Sequence, residues 1–155
     1  MFYPDDGAPG PYSFFSLGFG GDLTVGFGYP VYNAPGNDVC VQEVTNGRAT
    51  YPEELADIYA DAMFVAGVSN RANGTGLACV DLPADMMMAD DIMMVDMTDP
   101  NIHVGTADGF DIDWIGACYL YLGDETAWGA ACYEGEGDRF VDQGNWGTFF
   151  SYTID

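Results

Sequence analysis

The stretch TADGFDID, residues 106–113, sets Asp108, Asp111 and Asp113 around a Gly-Phe pair, with Phe110, Ile112 and Trp114 interleaved. On an extended strand alternate side chains share a face, so Asp111 and Asp113 project together, roughly 7 Å apart, opposite the apolar residues. One reading is a cation site. Calcium takes about six to eight hard oxygens, and a glycine turn beside Asp108 offers carboxylate and carbonyl together. Asp99 of TDPN is brought in by folding on this reading, and Asp38 of PGND is a further candidate. The metal candidates are therefore Asp99, Asp108, Asp111 and Asp113, with Ca2+ as the expected ion. The stretch is not an EF-hand, because DPNIHVGTADGF has Val104 at the glycine position and ends without Glu. A second reading is a solvated acidic strand face. A third pairs two carboxylates for glycoside hydrolysis, which needs them about 5–10 Å apart. In so acidic a chain some pair always meets that spacing, so spacing alone does not select it.

Other reactive side chains form no constellation. His103 is the sole histidine, so no second imidazole supports a zinc centre. No Ser or Cys sits in a nucleophile-elbow pattern, and the glycine-rich GFGGDL (18–23) leads into a strand rather than a helix, so it lacks the phosphate-cradling geometry. The chain reads as a non-enzyme. Aromatic residues are numerous after residue 127, and Trp128 and Trp146 are candidates for stacking on sugars, although rings in a short all-β domain also serve as core. Asn73-Gly74-Thr75 is an N-glycosylation sequon in an expected loop. Four cysteines fit no zinc pattern and allow three disulfide connectivities. Cys118 and Cys132 flank a hairpin-like segment and are read as a disulfide, with buried free thiols as the alternative.

Composition narrows the partners. Twenty-five acidic residues face Arg48, Arg71, Arg139 and no lysine, for a formal charge of -22. Such a surface repels phosphate backbones and anionic membranes, so neither nucleic acid nor membrane insertion is expected. An apolar fraction of 48% with 15% aromatics is too high for a disordered acidic tail. No run approaches the roughly 20 apolar residues of a membrane helix. MFYPDDGAPGPY has neither a basic nor an apolar leader region, so a location outside the cell implies a processed form.

These residues sit on short apolar runs separated by Gly, Pro, Asn and Asp clusters, the pattern of an antiparallel sandwich or barrel. Strands are expected at 12–18, 22–28, 38–44, 55–61, 62–68, 77–82, 91–97, 110–122 and 147–154. Leu23, Val25 and Phe27 share one face, as do Val39, Val41 and the aliphatic part of Glu43. YPEELADIYADAMF (51–64) also has a helix-like start and spacing, and no turn signal separates its two apolar runs; periodicity leaves helix and strand open. Residues 1–11 form an arm, an apolar MFYP patch on the linker DDGAPGP, and residues 12–155 a single domain with an aromatic C-terminal hairpin extension.

Four motifs in order, SLGFGGDLTVGF (16–27), NAPGNDVCVQEV (33–44), YPEELADIYA (51–60) and DMTDPNIHVGTADGFDIDWI (96–115), resemble a group of microbial secreted and cell-surface β-sandwich domains, mostly of unassigned function. The likeness runs from about residue 14 to 117 and does not cover the tail. It implies an antiparallel jelly-roll-like sandwich exported from the cell, similar in outline to calcium-stabilised carbohydrate-binding modules. It does not imply an enzyme. With the apolar arm, the expected role is a structural protein of the cell surface that polymerises into a fibre or pilus-like filament. An N-terminal strand is donated to complete the open sheet of a neighbour, with Phe2, Tyr3, Tyr12, Phe14, Phe15 and Leu17 at the interface. The alternative is a calcium-assisted carbohydrate-binding module of a surface protein, with glycans as partners.

Overall fold

A computed structural model describes residues 2–4, 13–45, 47–101, 109–121, 123 and 128–129. The strands are β1 (Phe2–Pro4), β2 (Ser13–Ser16), β3 (Asp22–Tyr32), β4 (Val39–Glu43), β5 (Leu55–Ala60), β6 (Met63–Ser69), β7 (Leu77–Val80), β8 (Met88–Asp96), β9 (Asp111–Ala117), β10 (Tyr119–Leu120) and β11 (Trp128–Gly129). A single 3-10 turn, Ala72–Gly74, stands between β6 and β7. The fold is all-β, two antiparallel sheets face to face.

The topology follows from one long ribbon folded at its middle. Strand β5 pairs with β6, β4 with β7, β3 with β8 and β2 with β9, all antiparallel. Wrapping that ribbon brings β4 against β9 and β5 against β8. The sheets then read β1-β2-β9-β4-β7 and β11-β10-β3-β8-β5-β6. Strands β2 to β9 in these orders make a jelly roll. All eight come from this chain, so no sheet lacks a strand; what folding leaves open is edges. Strand β1 covers the edge of β2 and β10–β11 that of β3, while on the opposite side β6 and β7 end their sheets among the described residues.

Alternation decides which faces meet. Val25, Phe27 and Val31 of β3, Val39 and Val41 of β4, Ala56, Ile58 and Ala60 of β5, and Ile92 and Met94 of β8 are buried in one core. The helix-or-strand choice at 51–64 resolves as strand: β5 has partners on both sides, and its small or branched residues at every second position face inward.

The turn after β5 escaped the sequence reading because Asp61-Ala62 is not a usual hairpin signal. Both residues have left-handed backbones, φ 46° and 65°, as a two-residue I′ hairpin requires. The turn is held from outside. Asp61 Oδ1 accepts the N–H groups of Asp90 and Asp91 at 3.0 and 3.1 Å, and its own N–H donates to the Asp91 carbonyl at 3.1 Å. Ala62 makes no such compensation, so Ala62→Gly is expected to raise stability by about 1 kcal/mol, read as a higher urea midpoint. A lower midpoint would show that the turn carries no strain at this position.

Candidate functional site

The arm is the first candidate. Among the described residues strand β1 pairs only with β2, at Phe2↔Phe15, Tyr3↔Phe14 and Pro4↔Ser13. Strand β2 in turn meets β9 through just Phe15↔Ile112 and Ser16↔Asp111, extended by the Leu17 N–H donating to the Phe110 carbonyl at 3.1 Å. Of the expected interface residues, Phe2 and Tyr3 therefore face β2 in register, and Phe14 and Phe15 are half-buried, with Phe15 packed on the core. Leu17 is buried in the domain's own core. Tyr12 lies outside the described residues.

The acidic stretch is arranged differently from the alternation the sequence suggests. Gln42 pairs with Trp114 but Glu43 with Ile112, so Asp113 is an extra residue bulging from β9. The bulge breaks the period of two. Phe110, Ile112, Ile115 and Ala117 pack in the main core, while Trp114 joins Cys40 and Cys118 in a separate cluster on the other side of the sheet. The expected face shared by Phe110, Ile112 and Trp114 is thus corrected. Asp111 is buried and Asp113 half-buried, so Asp111 is not part of a solvated face. Asp99 is exposed and accepts from both the backbone and side-chain nitrogens of Asn101, at 2.9 and 2.8 Å. Asp108 lies outside the described residues. Among the described residues, no three His, Cys, Asp or Glu side chains converge as a metal site.

What Asp111 does meet is a residue the sequence reading passed over. The Glu43 side chain is wholly buried. One carboxyl oxygen, Oε2, accepts the Thr45 N–H at 2.8 Å and also the Thr45 hydroxyl. The other, Oε1, is buried with no hydrogen-bond partner among the described residues. Burial pushes its pKa up to about 8, with the nearby Asp111 charge adding to the effect and the Thr45 hydrogen bonds and Arg48 opposing it. Glu43 is thus a neutral acid in the core at neutral pH. The signal was available: Val39, Val41 and Glu43 alternate, and the aliphatic expectation for Glu43 extends to its carboxyl.

Two other buried acids, Asp96 and Asp38, are fasteners. Asp96 Oδ1 accepts from the Phe110 N–H and the Thr98 hydroxyl at 2.8 and 2.7 Å, and its Oδ2 accepts the Gly20 N–H at 2.9 Å. This ties SLGFGG to TADGF. The same two motifs touch at Gly109, whose φ is +106° and where a Cβ would lie 2.5 Å from the Gly18 carbonyl carbon, so only glycine fits. Asp38 accepts the Ala34 and Leu82 N–H groups, both at 2.9 Å, and burial raises its pKa against those bonds. It fastens the turn at 34–38 to the segment that follows β7.

Trp128 pairs in register with Leu120, and Trp146 lies outside the described residues. Asn73 is exposed in the 3-10 turn with its side-chain amide donating to the Leu77 carbonyl at 3.0 Å. Cys40 and Cys79, directly opposite on β4 and β7, form a disulfide the sequence reading did not single out. Cys118 is also disulfide-bonded, with its sulfur 4.0 Å from that of Cys40; Cys132 lies outside the described residues.

The outer face of the second sheet carries exposed apolar side chains also missed in the sequence. Tyr59 and Phe64 meet edge to face with ring centroids 5.7 Å apart, and Met93 pairs with Tyr59 in register. No protein-family model matches this chain, and neither the curated proteins nor the solved structures contain a match to it.

Proposed function

We propose that this protein is an extracellular structural subunit that polymerises into a surface fibre by lending its N-terminal strand to a neighbouring copy. The observation that carries the reading is the position of β1. It lies outside a jelly roll that is complete without it, joined to that body by three residue pairs with a strand itself held by two. Eight residues, DDGAPGPY, separate Pro4 from Ser13, and a tether of that length and composition permits exchange between a strand's own sheet and another molecule's. Exchange preserves main-chain hydrogen bonds, so it costs little, and a head-to-tail contact whose rotation does not close a ring propagates into a filament.

The setting agrees. A disulfide between β4 and β7 suits an oxidising compartment outside the cytosol. The motif likeness to secreted surface domains points the same way, and the large negative charge keeps copies apart except where they meet specifically. Electron microscopy and sedimentation of the full chain against a variant lacking residues 1–11 test the reading. Filaments are expected from the full chain and monomers from the truncated one. Equal polymer from both, or monomers from both at every concentration, would remove strand donation.

A further inference from the structure

Strand donation needs an acceptor, and resting on that reading we infer that the acceptor is the edge of β6, which has no partner strand on its outer side among the described residues. The three strands outside the jelly roll, β1, β10 and β11, all cover edges on one side of the sandwich. On the other side β6 and β7 lie against each other and both end their sheets. A donor on one side and an acceptor on the other is the arrangement that propagates.

Of these two edges β6 is the better template. It runs seven residues against four for β7. At the start of β7 the Leu77 N–H and C=O are already engaged by Thr75 Oγ1 and the Asn73 amide. Exposed edges are usually blunted by charged side chains, proline or short length, because unpaired backbone groups recruit other chains. Met63–Ser69 reads MFVAGVS and contains no ionisable residue and no proline, in a chain with 25 acidic residues. Its single irregularity is the register shift at Val65, after which Ala66–Ser69 pair regularly with Leu55–Ile58. The seven residues of β6 leave room for the three of β1 beside Met63 and Phe64.

Charge and apolarity select the occupant. Two molecules each at -22 repel, and a contact between uncharged segments adds no close like-charge pair to that repulsion; Phe2–Pro4 is as uncharged as β6. Met63 and Phe64 are 45% and 53% exposed, large apolar side chains left beside the edge for an incoming aromatic strand to cover. The occupant is therefore β1 of a second copy.

Complementation separates acceptor from donor. Phe64→Glu places a like charge at the edge and leaves the arm intact, whereas deletion of residues 1–11 removes the arm and leaves the edge. In sedimentation velocity each variant alone is expected to run as a monomer, and an equimolar mixture as a one-to-one dimer that grows no further. Met63→Glu repeats the test, and a thermal melt of each variant checks that it folds. If the glutamate variants polymerise like the unmodified chain while the truncated one does not, donation stands and β6 is not its acceptor. If the truncated chain still polymerises but the glutamate variants do not, β6 pairs with another segment and β1 is not its occupant. Monomers from the unmodified chain overturn both.

Discussion

Stability should fall as pH rises from 5 to 8, and Glu43→Gln should abolish most of that slope. The sign follows from the raised pKa. Below the ordinary value of 4.5 Glu43 is protonated whether folded or unfolded, and burial carries no ionisation cost. Between 4.5 and about 8 the folded state holds a proton that the unfolded state has released, so unfolding is favoured progressively as pH increases. Above that window the carboxylate is ionised in both states and the loss is complete. A shift of this size corresponds to about 5 kcal/mol across the window, an upper figure because a relaxing core admits water. Glutamine keeps the shape and an oxygen for Thr45 but does not titrate. The stability difference between the two proteins, from urea melts at pH 4.5 and pH 9, is expected to move by several kcal/mol in favour of the variant. A constant difference would place the Glu43 carboxyl in contact with solvent.

Loss of the Cys40–Cys79 disulfide is the other large effect. The bridge joins residues 39 apart in sequence, and closing a loop of that length in the unfolded chain is worth about 4 kcal/mol. It also fixes β7, the edge strand of its sheet, to β4. A single substitution is the wrong test, because the freed Cys40 thiol would stand 4.0 Å from the sulfur of Cys118 and could exchange with that disulfide. The double variant Cys40→Ala, Cys79→Ala avoids exchange and is expected to unfold about 4 kcal/mol more easily in urea. A cost under about 1 kcal/mol would mean that the unfolded chain already keeps β4 and β7 together.

Legibility in the sequence followed the physics of each region. Where one sheet face is buried and the strand is regular, as at Val25 and Phe27 or Val39 and Val41, alternation alone located strand and core face. It failed where a partner strand sets the geometry. The Asp61-Ala62 turn is supported by two N–H groups of β8, some 30 residues away, and the bulge that sends Trp114 to the far side of its sheet exists only against β4. The Asp-rich stretch drew attention through its charge, yet the consequential acid is Glu43, whose burial depends on Ile112 opposite it and on Thr45. Asp38 at Leu82 and Asp96 at Phe110 carry the same lesson: each accepts a backbone N–H group that only the tertiary fold delivers. The β6 edge was visible as seven uncharged residues, but its place at the end of a sheet became evident only once the sheet order was known among the described residues.

The doubled-back ribbon also dictates an order of events during maturation. Its tip, where β5 meets β6, closes across two residues, whereas β2 must find β9 across most of the chain, and loop closure makes the distant pairing the later one. Among the described residues the N-terminal arm pairs with β2 alone, so it is expected to dock last. Under the strand-donation reading, a neighbouring copy met before the arm docks competes for the strand on equal terms with the molecule's own β2.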